Sequence, residues 1–169
     1  MYNHHLARFN YTTYDVRRAQ DVINPGTCHR DIMLLANTID ADSRASHPFL
    51  YARVLGIYHV NVVYTGEGMV NYDAHRVYFL WVRWFDYGGT KSLGWDDHDL
   101  DSVSFLPMEN EHAFGFVDPQ DVLRGCHIIP TFSGGRLHLD GVGLSRCAGD
   151  ALDWAHYRVN RLVTHHRII

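Results

Sequence analysis

Val77-Tyr-Phe-Leu-Trp-Val-Arg-Trp-Phe85 decides the fold. β-branched and aromatic residues fill it, which favours an extended chain. With a period of two, Val77, Phe79, Trp81 and Phe85 face one way, with Arg83 among them, and Tyr78, Leu80, Val82 and Trp84 face the other. Both faces are apolar, so the strand is expected to be covered on both sides or to sit in a closed barrel.

The stretch before it, Tyr51-Ala-Arg-Val-Leu-Gly-Ile-Tyr-His-Val-Asn-Val-Val-Tyr64, has the same character. Ala52, Val54, Tyr58, Val60, Val62 and Tyr64 share one parity, with Gly56 among them. A glycine inside a strand marks a bulge or bend. Further out, Asp31–Ala36 is either a short buried strand or a helical turn, and Val103–Leu106, Cys126–Ile129 and Tyr157–Val163 read as short strands. Asp118 and Pro119 signal the start of a brief helix over Pro119–Leu123. Asp15 is placed to cap a short helix over Val16–Asp21, ended by Asn24-Pro25-Gly26. Together these elements predict a mainly β chain with short helices, built as a small β-barrel or sandwich. One domain is expected over 1–169, with an N-terminal extension at 1–48, a barrel core at 49–132, and an irregular segment with a terminal strand at 133–169.

Composition supports one folded domain. The chain has 169 residues, 46% of them hydrophobic and 20% charged. Its net charge of −4 argues against nonspecific polyanion binding, which needs an excess of base. Lys91 is the only lysine, and Asp greatly outnumbers Glu. Cys28, Cys126 and Cys147 are far apart and odd in number, so a reducing intracellular setting is the simpler reading. No apolar run approaches the ~20 residues of a membrane span, and residues 1–10 show no secretory leader.

Motifs for chemistry are sparse. Thirteen histidines invite a metal, yet the close pairs His4-His5 and His165-His166 are adjacent and poorly placed to chelate one ion. Cys28, His29, Cys126 and His127 would have to converge in space. Asp96, Asp97, Asp99 and Asp101 lack the glycine and final carboxylate of a calcium loop. There is no nucleophile elbow and no phosphate loop, and Ser133-Gly-Gly135 reads as a turn. Two features remain. One is the aromatic set Tyr58, Tyr64, Tyr78, Trp81, Trp84, Phe85, Tyr87 and Trp95, either core or a partly exposed cage or stacking platform. The other is Arg17-Arg18 between Asp15 and Asp21, either internal ion pairs or an anion contact.

The phrase Asn10-Tyr-Thr-Thr-Tyr-Asp-Val-Arg-Arg18, with Gln20-Asp21 and Ile23-Asn-Pro25, resembles one near the C-terminus of large proteins encoded by fungal CACTA-like DNA transposons, including the Plavaka group. The likeness continues through Met33-Leu-Leu35, His47-Pro-Phe-Leu-Tyr51-Ala-Arg-Val54, Gly56-Ile-Tyr-His59 and Phe79-Leu-Trp-Val-Arg-Trp-Phe85. It extends to Phe114-Gly-Phe-Val-Asp-Pro119, Val122-Leu-Arg124, His127-Ile-Ile-Pro130, Asp153-Trp154, Tyr157 and Val159-Asn160. Gly26-Thr-Cys28 and Asp140–Gly149 depart from it. The order of elements is also similar to the C-terminal region of plant CACTA transposases, and both resemble the bromo-adjacent-homology class of small barrels, which implies a small barrel of SH3-like or bromo-adjacent-homology-like type. The resemblance implies an accessory module, with catalysis in a separate region of the element, and no catalytic residue carries over.

The expected function is therefore non-catalytic: binding of chromatin protein or nucleic acid within a transposon-derived protein, in a nuclear setting, with other parts of a transposase as partners. Tyr58, Trp84, Phe85 and Tyr87 are the expected ligand contacts, with Arg17 and Arg18 for anions. No cofactor, metal or membrane is expected. The alternatives are a scaffold or oligomerisation domain without a small ligand and, further off, a metal-dependent hydrolase.

Overall fold

The long β-branched and aromatic runs form the two longest strands, and glycine- and proline-bearing turns cut the rest into short ones. The computed structural model describes residues 1–12, 18–36, 47–68, 71–87 and 100–160. Among them the strands are β1 (Tyr2–His4), β2 (Ala7–Thr12), β3 (Arg18–Ile23), β4 (Asp31–Leu35), β5 (Phe49–Val62), β6 (His75–Asp86), β7 (Ser102–Phe105), β8 (Phe114–Val117), β9 (Val122–Pro130) and β10 (Tyr157–Asn160). Among the described residues, helical structure is limited to single 3-10 turns at Pro119–Asp121, Phe132–Gly134 and Asp150–Leu152. The first begins where the sequence places it, with the Asp118 carboxylate accepting the Gln120 amide at 2.8 Å.

All strand pairs are antiparallel, and the large sheet runs β1-β5-β4-β9-β10-β7-β6-β8, with β5 also pairing β6. The sheet therefore curls until its two long strands meet. The curl is drawn together through β7, which shares two residue pairs with β6 and two with β10. The result is a large antiparallel sheet folded over on itself rather than a closed barrel, which corrects the barrel expectation. The expectation of a mainly β chain holds.

Two apolar cores result. Inside the curl lie Met33, Phe49, Tyr51, Phe85, Val103, Phe105, Ile128, Tyr157 and Val159. On the opposite face lie Ile32, Leu34, Ala52, Val54, Leu80, Val82 and Val117, roofed by Phe9 and Ile23 of the β2–β3 hairpin. β4 feeds both cores by strict alternation, so Asp31–Ala36 is a strand and not a helical turn.

β3 corrects the helix expected over Val16–Asp21. Its described part, from Arg18, is extended and pairs with β2 from Thr12↔Arg18 to Ala7↔Ile23. Tertiary contacts outweigh the cap: Ile23 is buried, and the Asp21 carboxylate accepts the Gly125 amide of β9 at 2.9 Å.

The parity of β5 also changes midway. The ladder to β6 slips between Val54↔Val82 and Gly56↔Trp81, leaving Leu55 as the extra residue of a bulge. Before the bulge Ala52 and Val54 point to the outer core; beyond it Ile57 does, and Tyr58 turns to the other face.

Candidate functional site

Paired residues in an antiparallel ladder share a face. Gly56↔Trp81, Tyr58↔Phe79 and Val60↔Val77 therefore set Tyr58, Val60, Phe79 and Trp81 side by side. On the far side of β6, Trp81↔Phe116 and Arg83↔Phe114 add the two phenylalanines of β8. This face of β6 begins inside the curl with Arg83 and Phe85, then emerges at Trp81 as open surface. Its rings touch in sequence: Tyr58 stacks on Phe79 (centroids 5.6 Å), Phe79 meets Phe116 edge-on (5.5 Å), and Trp81 stacks with Phe114 (6.1 Å). Phe116 is 73% exposed.

Gly56 makes room for this surface. A Cβ there would lie 2.4–2.7 Å from the Tyr58 ring, so the ring lies flat across the glycine. β8 is the last strand at its end of the sheet and pairs only with β6 among the described residues. Exposed acids surround it: Glu109 and Glu111 before, Asp118 and Asp121 after. Leu106 to Leu123 contains no lysine or arginine.

Where the same face turns inward, it carries a buried ion cluster. Arg53 grips Asp31 with two hydrogen bonds, Nε to Oδ1 at 2.8 Å and Nη2 to Oδ2 at 3.2 Å. Arg83 donates to Asp153, whose other oxygen accepts from Tyr157 Oη at 3.3 Å. The arginines also lie against rings, Arg83 over Phe105 at 3.9 Å and Arg53 over Phe105 at 4.9 Å. Burial would lower the Arg53 pKa, but Asp31 overcomes it and the net shift is upward. Burial pushes the Asp153 carboxyl up against the pull of Arg83 and Arg53. Burial also raises the Cys126 thiol well above its usual value, with Asp31 adding to the effect, so it is a poor nucleophile.

The expected contacts fall in different places. Tyr58 stands on the outer aromatic face. Trp84 packs on the outer core, with Nε1 close over Gly115. Phe85 is 5% exposed inside the curl, stacked on Phe105 at 4.1 Å. The Tyr87 hydroxyl is held by the Phe49 carbonyl at 2.7 Å and by His47 Nδ1 at 2.6 Å. The four do not form one cage. Arg17 lies outside the described residues, as do Trp95 and the Asp96, Asp97 and Asp99 run. Arg18 opens β3, and its side chain is outside the description too.

Phe79, Phe114 and Phe116 belong to this ring face, although the sequence reading did not single them out. The signal was available: in Phe114-Gly-Phe-Val117 the two rings alternate with Gly115 and the buried Val117. Among the described residues, no three His, Cys, Asp or Glu side chains are placed to hold a metal ion, and no helix is long and apolar enough to cross a membrane. Compared with family models, curated proteins and solved structures, the chain finds no match.

Proposed function

We propose that this chain is a non-catalytic accessory module of a transposon-derived protein, and that it binds an extended basic segment of a chromatin protein. On this reading the curled sheet is an opened variant of the SH3-like or bromo-adjacent-homology-like barrels, and the setting is nuclear. The observation that carries it is the outer face of Tyr58, Phe79, Trp81, Phe114 and Phe116 beside the edge of β8 that no strand pairs with among the described residues. An extended segment can add to that edge as a further strand, laying alternate side chains across the rings. The rings attract lysine and arginine, and the four exposed acids around β8 complement their charge. Nucleic acid fits this face less well, because its phosphates would meet those acids.

The test is fluorescence anisotropy with a labelled Lys/Arg-rich peptide, using the full chain and Phe116→Ala. Phe116 is largely exposed, so its removal leaves the fold intact, and the loss of one cation–π partner weakens binding about tenfold. Unchanged affinity would sink the assignment of the face. Tighter binding of a single-stranded oligonucleotide, with a steep salt slope reduced in Arg17→Ala, would replace the protein partner with nucleic acid.

A second reading, a scaffold or oligomerisation domain, is favoured by one observation. Leu137, Leu139, Val142 and Leu144 are all exposed in the glycine-rich stretch before Asp150, Leu139 at 92%. Light scattering separates the two: a dimer lost in Leu139→Ser supports the scaffold.

A further inference from the structure

The buried ion cluster is unbalanced, and it opens on a cleft of about 250 Å³. Three guanidiniums, Arg30, Arg53 and Arg83, face two carboxylates, Asp31 and Asp153. Arg53 and Arg83 take both carboxylates. Arg30 has neither an ion pair nor a side-chain hydrogen bond among the described residues, although it is half-buried and its carbonyl accepts the Val54 amide at 2.8 Å. Burial and the repulsion of Arg53 lower its pKa, outweighing the attraction of Asp31, Asp153 and Tyr157. Arg30 lines the cleft together with Trp154, Pro130, Ile128 and His127. None of the outer-face rings lines it.

We propose that this cleft is a binding site for a small organic oxyanion, with a phosphate or carboxylate group on Arg30 and a flat apolar body against Trp154. An unpaired guanidinium offers a planar fork of donors to either group. The neighbouring carboxylates are both already engaged, so they repel an incoming anion less than free ones would. Apolar and aromatic walls around a few polar groups are the usual composition of a small-molecule site. This site is independent of the outer face.

The test is an NMR titration of the full chain at low salt with phenyl phosphate, benzoate and inorganic phosphate, following the Trp154 indole and the amides of 28–31 and 127–130. Saturable shifts at those positions are expected. Phenyl phosphate should bind more tightly than inorganic phosphate because it adds a ring against Trp154. If benzoate binds more tightly than phenyl phosphate, the site is assigned to carboxylates; the reverse order assigns it to phosphates. Arg30→Gln should weaken binding about tenfold or more, the usual scale for losing a charge-assisted hydrogen bond, with unchanged melting temperature. Arg30→Lys should restore part of it. Absence of shifts at millimolar ligand, shifts elsewhere only, or equal affinity in Arg30→Gln would overturn the proposal.

Discussion

Arg53 and Arg83 sit in the two longest strands, and each is held by a carboxylate distant in sequence, 22 and 70 residues away. An isolated charge could not remain there. Removing one partner of a buried pair costs about 3–5 kcal/mol, because the other is left uncompensated. Asp153→Ala is therefore expected to lower the urea-derived unfolding free energy by about that amount. A loss below about 1 kcal/mol would mean that the arginines find water instead. A charged residue inside a two-sided apolar strand was a visible sign of such a pair, yet only the folded chain names Asp31 and Asp153. The histidines behave similarly. His4 and His59 share a hydrogen bond of 2.6 Å, and Tyr2 stacks on His59 at 4.6 Å. Desolvation lowers the His59 pKa first, and Arg76, His4 and the N-terminal ammonium lower it further; Tyr2 of β1 and Tyr78 of β6 flank the same ring. The folded state thus takes up a proton less readily than the unfolded chain. The contribution to stability is complete above the ordinary imidazole value of about 6.5 and is lost as pH falls through the folded-state value below it. Amides of β1, corrected for intrinsic rates, are expected to exchange faster near about pH 5 than near about pH 7.5. Equal protection would contradict this.

At the scale of elements, β5 shows both what could be read and what could not. Gly56 marked a bulge in the sequence, and a bulge is there. Its consequence was not legible, because a bulge inverts the parity of everything after it. Tyr58 shares a parity with Ala52 and Val54 in sequence, but lies on the opposite face in space. Gly56→Ala places a methyl group within 2.4–2.7 Å of the Tyr58 ring. The ring must swing away from Phe79, so the Tyr58–Phe79 nuclear Overhauser contacts should vanish and basic-peptide binding should weaken, while the inner core stays intact. Retained contacts would show that the backbone gives way instead. β3 teaches the complementary lesson. A capping aspartate is a local signal, and the burial of Ile23 against a distant strand overrides it.

At the scale of the whole molecule, the β class was legible from composition and from two long runs of aromatic and branched residues. The order of strands was not. β4 sits between β5 and β9, and β7 between β6 and β10, pairings that local periodicity does not encode. The curl gives Arg83 and Phe85 an interior, and leaves Trp81 and Phe79 on the same strand outside it. One strand thus carries both part of the buried core and the exposed rings on which the proposed recognition rests. The most direct measurement is amide hydrogen exchange across the full chain, with and without a saturating Lys/Arg-rich peptide. New protection is expected at the β8 amides that point away from β6, with none gained in the β2–β3 hairpin. Unchanged exchange along β8, or protection gained only elsewhere, would contradict a recognition edge at β8.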